Sequence, residues 1–334
     1  MTVRIAILGL GQIGASIGLA LANHSDQVTT VGYDLSREVT QKAQALGVVD
    51  QIEHGLTAAV RAADVAVLAL PLDQVRPTLQ SLAGELRPEA VVMDTAPAKA
   101  AVAGWIKDLL PPDRHYVGLF PALSPSTLED PSAGIDSARA DLFKKGLIAV
   151  AAPAGCPEEA VQLAANLVTL LGAQPFFADL AELDGIAAAV QLLPGIAAAA
   201  LLETVTGQPG WADIRKLTGR AFAAGTRPFD IEAPATLAAA AVQNRANALR
   251  LLDDYLAALG SLREAVAGGQ AQELETRLER DQKTERQWRA DRLQGDWLAQ
   301  EMEDMEMPTA GDVLGRQIGG LGKLFRRGRR PDEQ

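Results

Sequence analysis

The chain has 334 residues and a formal net charge of −11, and 48% of its residues are hydrophobic but only 4% aromatic. Its length suits two domains, and its negative charge argues against a general nucleic-acid-binding protein, which needs a basic face to replace phosphate counterions. The one cysteine, Cys156, excludes an intrachain disulfide and a cysteine-based zinc site.

The sequence carries no sign of a secreted or membrane-spanning protein. A predicted strand begins right after the N-terminus, without the charged and apolar regions of a signal peptide. The longest apolar stretch, residues 186–202, is rich in alanine and is interrupted by Gln191, Pro194 and Gly195, which argues against a membrane span. A soluble cytoplasmic protein is therefore expected.

The first half of the chain alternates short apolar runs with segments of helical periodicity. This alternation is typical of buried parallel strands joined by helical crossovers. Predicted strands cover residues 3–8, 29–33, 65–70, 90–93, 116–119, 147–151 and 174–177, and predicted helices cover 13–22, 38–45, 57–62, 72–86, 98–110 and 158–171. We predict a Rossmann-type α/β domain over residues 1–178, with a doubly wound, mostly parallel sheet and 174–177 as an edge strand.

From about residue 179 the strand pattern ends and helical patterns follow. Predicted helices cover residues 181–206, 210–223, 233–267 and 270–302. Helices this rich in alanine and leucine cannot each bury a face alone, so they need one another, the first domain or a second subunit. We predict an all-helical substrate and dimerisation domain over residues 179–302, and a homodimer.

The C-terminal residues 303–334 are predicted to form a flexible tail that ends in a basic cluster. Glycines and the cluster from Lys323 to Arg330 characterise this segment. Contact with a membrane surface or nucleic acid is an alternative to a disordered, solubilising tail. The acidic residues 301–306 are interpreted as a solvated stretch and not as a metal site.

The sharpest motif is Gly9-Leu10-Gly11-Gln12-Ile13-Gly14, which follows the first predicted strand and opens the first predicted helix. In a dinucleotide-binding turn, the first glycine permits the tight turn, the second lets the backbone approach the pyrophosphate, and the third lets the helix pack on the strand. The helix N-terminus then offers its N–H groups to the phosphates. The alternative is a glycine-rich turn without a ligand.

Asp34 ends the second predicted strand, twenty residues beyond Gly14. An acidic residue at this place accepts hydrogen bonds from the adenosine ribose hydroxyls and repels a 2′-phosphate. NAD is therefore expected in preference to NADP, although Arg37, three residues further on, could weaken that preference.

At these residues the chain resembles the prephenate and arogenate dehydrogenases. The glycine motif with its continuation through Leu21 is similar to the family's opening segment, and further landmarks follow in the family's order. They are residues 46–50, 63–64, 69–71, 138–143, 221–227 and 244–245. The resemblance implies a Rossmann domain followed by a helical dimerisation domain, and it adds Leu70 and Pro71 to the expected cofactor-binding residues. It also implies NAD-dependent oxidation of prephenate or arogenate with loss of carbon dioxide, in tyrosine biosynthesis.

The chain departs from the family at its expected catalytic residues. Family members carry a histidine in a Gly-His-Pro segment, which holds the substrate hydroxyl and assists proton removal, and Phe120 occupies that place here. Phenylalanine cannot accept a proton. Pro97 replaces the serine of the family's Asp-x-x-Ser-x-Lys segment, in which Asp94 and Lys99 remain. The helix near Leu183 also lacks the family's histidines.

Four residues are candidates for the remaining chemistry. Arg227 matches the arginine that the family places against a substrate carboxylate, and Ser124 follows the Phe120 segment and could donate a hydrogen bond to the substrate. Lys99 could act as a base if burial lowers its pKa, and His115 is the one histidine close to Phe120 in sequence. Each also has a simpler interpretation as a surface or loop residue.

Three functions remain open from the sequence. The first is an NAD-dependent dehydrogenase of the prephenate class. The second is a diverged member that acts on another hydroxy acid or imine with a different base. The third is a non-catalytic relative that binds a dinucleotide.

Overall fold

The protein is described by a computed structural model that covers residues 2–128, 130, 132–231 and 233–295. The chain divides into two compact units, residues 1–280 and 281–334. The predicted flexible tail and the acidic stretch 301–306 lie outside the described residues, and the boundary predicted near residue 178 falls inside the first unit.

One eight-stranded sheet organises the N-terminal half of the first unit. Its strands run in the spatial order β3-β2-β1-β4-β5-β6-β7-β8, and β1 to β6 are parallel, whereas β7 and β8 run antiparallel to them. The strands are β1 Val3–Leu8, β2 Val28–Tyr33, β3 Gln51–Ile52, β4 Val65–Leu68, β5 Val91–Asp94, β6 His115–Ala122, β7 Leu147–Ala151 and β8 Gln174–Phe177. The predicted Rossmann-type, mostly parallel sheet is confirmed.

Helices cover both faces of this sheet, which explains why the strands read as continuous apolar runs. They are α1 Gln12–Leu21, α2 Arg37–Ala45, α3 Leu56–Val60, α4 Leu72–Leu82, α5 Lys99–Leu109 and α6 Glu158–Leu170. One buried cluster joins α1 and α6 to one face, and a second joins α3, α4 and α5 to the other. The second cluster also includes Ala188, Leu192, Ala240 and Ala248 of the C-terminal half, so the helical region packs on that face.

The C-terminal half is helical, as predicted, but is divided more finely than the periodicity suggested. Its helices are α7 Leu180–Ala187, α8 Leu193–Thr206, α9 Trp211–Leu217, α10 Arg220–Thr226, α11 Pro228–Ile231, α12 Pro234–Gln243, α13 Arg245–Ala267 and α14 Ala271–Gln294. A π-helical segment, Ala188–Leu192, joins α7 to α8. Extended backbone at Thr218 separates α9 from α10, and Asn244 lies between α12 and α13 with non-helical dihedral angles.

The helical run from Leu180 to Thr206 is the one stretch of the described residues that is long and apolar enough to cross a membrane, with 28% of its most apolar window buried. Its first part packs on the sheet: Leu183, Ala187 and Ala188 are fully buried. The second part includes Leu201, which is 38% exposed. The first part of this stretch therefore packs as a core helix does, whereas the second part is more exposed.

Candidate active site

The glycine turn has the shape that a pyrophosphate needs. Gly9 has a φ of +91°, and a methyl group on it would lie 2.4 Å from the carbonyl oxygen of Ala69. A methyl group on Gly14 would lie 1.9 Å from the carbonyl oxygen of Gly9, so helix α1 can approach the turn only with glycine here. At Gly11, by contrast, a methyl group would meet no atom within 4 Å. The backbone at Gly11 therefore faces open space that a ligand can fill.

The first turn of α1 is available to an anion. Gly11 is its N-cap residue and provides no side-chain hydrogen bond, and the first N–H groups of a helix have no partner within the helix. The Ile13 side chain packs against the core, so this residue presents its backbone to the turn. The Gln12 side chain donates a hydrogen bond from Nε2 to the carbonyl oxygen of Ser132, at 3.2 Å.

Asp34 lies beside this turn. Its Oδ2 accepts a hydrogen bond from the backbone N–H of Leu10 at 2.8 Å, and its Oδ1 accepts one from the N–H of Ser36 at 2.8 Å. A carboxylate oxygen has a second acceptor position, so ribose hydroxyls can still donate to it. Arg37 is exposed at the first residue of α2.

A cavity of about 420 Å³ connects these residues. Gly9, Gly11, Asp34, Leu70 and Pro71 all line it, as do Tyr33, Leu35, Leu56, Pro77 and other residues of α4. An apolar cleft with a carboxylate at one end suits an adenosine group, and the cavity lies at the carboxyl ends of β1 and β2, where α/β sheets bind their ligands. The residues present therefore fit a dinucleotide.

A cluster of charged and polar groups is buried at the carboxyl end of β5. Lys99 is 0% exposed, and its Nζ donates to Asp94 Oδ1 at 2.8 Å and to the Asp94 carbonyl oxygen at 3.1 Å. Asp94 Oδ2 accepts a hydrogen bond of 2.6 Å from the Tyr116 hydroxyl. Asp184, on α7, accepts hydrogen bonds from the backbone N–H groups of Lys99 and Ala100. One ammonium and two carboxyl groups thus share one buried region.

Burial shifts the pKa values in this cluster. It lowers the pKa of Lys99, while the carboxylates of Asp94 and Asp184 act in the opposite direction. The pKa of Tyr116 is raised well above 10 by burial and by the nearby charge of Asp94. The pKa of Asp184 is raised by burial, against the effect of the two N–H groups that it accepts. Tyr116 therefore stays neutral, and Lys99 is the base candidate that desolvation favours.

Phe120 is embedded in an apolar cluster and not in the charged one. Tyr116, Gly118 and Phe120 alternate along β6 and share one face, and a methyl group on Gly118 would lie 2.7 Å from Lys99 Cδ. Phe120, two residues further along, lies about 7 Å beyond Gly118. It packs with Ala149, Ala151, Leu183 and Ala187. The position at which the family carries its histidine is therefore surrounded here by apolar side chains of β7 and α7.

The structure separates the two base candidates. Lys99 lies at the carboxyl end of β5, next to the strand that carries Phe120. His115 is the first residue of β6, whereas Phe120 lies near the carboxyl end of the same strand. The Nε2 atom of His115 is 2.9 Å from Glu89 Oε2. The structure therefore brings Lys99, and not His115, to the Phe120 region.

The two substrate-binding candidates are carried by different parts of the chain, Ser124 by the segment after β6 and Arg227 by the end of α10. Ser124 is buried, and its hydroxyl is 3.0 Å from that of Ser126. Arg227 is half-buried at the end of α10. The pKa of Asp130 is lowered by hydrogen bonds from Ser132 and, to a smaller extent, by the charges of Arg139 and Arg227. Arg227 is thus within electrostatic range of the segment that carries Ser124.

Three site residues were not identified as such from the sequence. In the sequence, Tyr116 looks like an ordinary strand residue and Asp184 like a polar residue within a helical segment. Asn244 was noted only as part of a landmark of the family resemblance, without a role. All three are buried, and Asn244 Nδ2 donates to the carbonyl oxygen of Asp184 at 2.6 Å. An aspartate surrounded by apolar residues on a predicted core helix was the one available signal, because such a group must find partners.

Two family models match adjacent parts of the chain. Residues 17–176 match the prephenate dehydrogenase nucleotide-binding domain, and residues 180–280 match the prephenate dehydrogenase dimerization domain. The chain belongs to the prephenate dehydrogenase family. The resemblance inferred from the glycine motif and the landmark order is confirmed, as is the two-part layout of a nucleotide-binding fold and a helical region.

Three individual family members share between 20% and 27% sequence identity with this chain. A cyclohexadienyl dehydrogenase from Zymomonas mobilis subsp. mobilis is 27% identical over 266 residues, which is 79% of this chain and 88% of the relative. A prephenate dehydrogenase from Bacillus subtilis is 25% identical over 274 residues, or 81% and 72% of the two chains. The crystal structure of prephenate dehydrogenase from A. aeolicus, in complex with hydroxyphenyl propionate and NAD+, superposes with a TM-score of 0.75 at 20% identity. It covers 86% of this chain and 98% of that one.

Proposed function

We propose that this family member is an NAD-dependent dehydrogenase that oxidises prephenate or arogenate with loss of carbon dioxide, a step of tyrosine biosynthesis. The observation that carries the proposal is the open space at Gly11 beside the carboxylate of Asp34. A turn shaped for a pyrophosphate and an acceptor for ribose hydroxyls meet at one cavity in a chain that belongs to this family. NAD is favoured over NADP because the carboxylate repels a 2′-phosphate.

Each candidate residue then has a defined task. Bound NAD supplies the hydride acceptor. The turn from Gly9 to Gly14 and the N-terminus of α1 hold the pyrophosphate, with Leu70 and Pro71 at the cavity wall. Arg227 pairs with a substrate carboxylate through its planar guanidinium, and Ser124 donates a hydrogen bond to the substrate. Lys99, when neutral, is the proposed acceptor for the proton of the substrate hydroxyl.

Phe120 sets the expected rate. General acid–base assistance is typically worth about 10²–10⁴-fold, and the ring of Phe120 cannot give it. Binding and orientation still contribute, and Lys99 replaces the histidine only in part, because its ion pair with Asp94 favours the charged form that cannot accept a proton. We therefore expect slow turnover. The apolar cluster of Phe120 with Leu183 and Ala187 favours the two alternatives, a relative that acts on another hydroxy acid or imine and a relative that binds a dinucleotide without turnover.

The proposed assembly is a homodimer in the cytoplasm. The matching dimerization domain covers α7 to α13, and α13 exposes a set of large apolar side chains. They are Leu249, Leu256, Leu259 and Val266. A second copy of the chain that covers these side chains would remove them from water.

The direct test separates cofactor binding from turnover. NADH binding is followed by fluorescence, and oxidation of prephenate or arogenate is followed by NADH absorbance at 340 nm. The proposal expects NADH binding together with slow NADH formation from one of the two substrates. NADH binding without NADH formation from either substrate supports the two alternatives. A protein that binds no dinucleotide contradicts the proposal and the alternatives alike.

A further inference from the structure

Helix α5 begins without a cap of its own. Its N-cap residue, Ala98, provides no side-chain hydrogen bond. Asp184, 85 residues away in sequence from Lys99, supplies the missing acceptors: its Oδ1 accepts the N–H of Lys99 and its Oδ2 accepts the N–H of Ala100, at 3.1 Å. A carboxylate at this place satisfies two first-turn N–H groups and also complements the positive end of the helix dipole.

Asp184 is itself held in place. It is 6% exposed, and its carbonyl oxygen accepts a hydrogen bond of 2.6 Å from Asn244 Nδ2, between α12 and α13. Asn247 Nδ2 in turn donates to Asn244 Oδ1 at 2.9 Å. A continuous set of hydrogen bonds therefore runs from the junction of α12 and α13, through α7, to the first turn of α5.

The first residue of α5 is Lys99, so this cap also determines where the buried ammonium lies. Among the described residues, three titratable side chains belong to the cluster around Lys99: Asp94 from β5, Tyr116 from β6, which donates to Asp94, and Asp184 from α7. Tyr116 stays neutral, and Asp94 pairs directly with the ammonium. Asp184 binds the backbone of Lys99 and adds a second negative charge near its side chain.

We propose that Asp184 is a positioning residue, which orients Lys99 from the helical region and stabilises its charged form. Its effect on turnover rests on the proposed function, whereas its effect on Lys99 does not. Burial lowers the pKa of Lys99, and Asp184 opposes that shift. Without the negative charge of Asp184, the ammonium form loses stabilisation and Lys99 gives up its proton at a lower pH.

Lysine side-chain titration by NMR tests this directly. Protein labelled with ¹³C at the lysine ε-carbons is titrated, and Lys99→Arg identifies the signal of Lys99. In Asp184→Asn the midpoint should fall by about one unit, the low end of the effect of a nearby opposite charge. Asp179→Asn is the matched control, because Asp179 caps α7 itself by accepting the N–H of Glu182 at 2.7 Å. A midpoint in Asp184→Asn equal to that of the control overturns the proposal.

A second measurement needs no variant. First-turn amides normally exchange quickly with solvent, since they have no partner within the helix. In the native protein the amides of Lys99 and Ala100 should exchange as slowly as those in the middle of α5, and rapid exchange at both contradicts the cap. In turnover assays, Asp184→Asn should shift the pH profile of kcat to lower pH, because neutral Lys99 then forms at a lower pH. It should also lower the maximum of kcat at an unchanged KM for NAD, because the first turn of α5 is less well held, and Asp184→Glu should restore part of that maximum. Absent turnover in the native protein would reject the proposed function and leave the titration result standing.

Discussion

The backbone N–H of Leu10 donates a hydrogen bond of 2.8 Å to the carboxylate of Asp34, which ties the end of β2 to the glycine turn after β1. Two parts of the dinucleotide motif that are 24 residues apart therefore form one rigid site. The same carboxylate lines the cavity, so one side chain both fixes the turn and faces the space proposed for the ligand.

The charge of Asp34 should determine cofactor preference. Native protein is expected to bind NADH more tightly than NADPH, and Asp34→Asn should reduce this preference because the neutral amide no longer repels a 2′-phosphate. Fluorescence titration with both cofactors measures the effect. Asp26→Asn removes an equal charge from the exposed residue 26, ahead of β2, and should leave the preference unchanged. Tighter binding of NADPH than of NADH by the native protein would contradict the proposed role of Asp34.

Gly11 and Gly14 offer a matched pair of substitutions with opposite outcomes. Gly11→Ala should leave stability unchanged, because its methyl group meets open space, but should weaken NADH binding about tenfold or more, or about 1.4 kcal/mol. Gly14→Ala places a methyl group against the Gly9 carbonyl and should destabilise the fold by about 1–3 kcal/mol. Urea unfolding and NADH titration distinguish the two. Equal NADH affinity of Gly11→Ala and native protein would contradict a pyrophosphate at this turn.

Lys99 should matter for stability as well as chemistry. Lys99→Met leaves the carboxylates of Asp94 and Asp184 without their buried counter-charge, and the expected loss is about 3–5 kcal/mol. Urea unfolding provides the measurement. Lys107→Met, at an exposed position of the same helix, should change stability by less than about 0.5 kcal/mol. Similar free energies of unfolding for the two variants would show that the buried Lys99 ammonium does not stabilise the fold by the expected amount.

The exposed apolar side chains of α13 should form the dimer contact. Leu256 is 63% exposed, and Leu256→Glu is expected to convert the dimer into a monomer because it places a charge in an apolar interface. Light scattering coupled to size-exclusion chromatography gives the mass directly. Leu46→Glu, at a 54% exposed position after α2, serves as the control and should remain dimeric. A native protein that is monomeric at micromolar concentration rules out the proposed assembly.

The sequence was most informative where one physical rule dominates. Continuous apolar runs predicted seven of the eight strands, and β1, β7 and β8 have the predicted limits. The two-residue strand β3 was missed because Gln51–Ile52 is too short to show a period. The strand predicted at 65–70 ends at Leu68, since Leu70 belongs to the cavity wall, and the helix predicted at 72–86 ends at Leu82.

The helical half shows the limits of periodicity. The segment predicted as one helix over 233–267 is two helices, because the buried side chain of Asn244 is used to bind the Asp184 carbonyl. The predicted helix 210–223 breaks at Thr218, and α11 was not predicted. A contact between residues 60 apart in sequence decides the break at Asn244, and contacts between residues about as far apart decide the cap that Asp184 provides for α5. No local pattern encodes them.

Phe120 provides the most direct test of the account. Native protein should convert prephenate or arogenate with NAD at a kcat/KM at least about a hundredfold below that of a histidine-bearing relative, the low end of the general acid–base contribution. Phe120→His should recover part of this difference and no more, because Pro97 has also replaced the family's serine and Leu183 and Ala187 keep the surroundings of position 120 apolar. NADH formation at 340 nm measures kcat/KM for both proteins. An increase in Phe120→His over a slow native enzyme is the predicted result. Native activity at an ordinary enzyme's level would contradict it and show that another group, with Lys99 first among the candidates, replaces the histidine in full and not only in part.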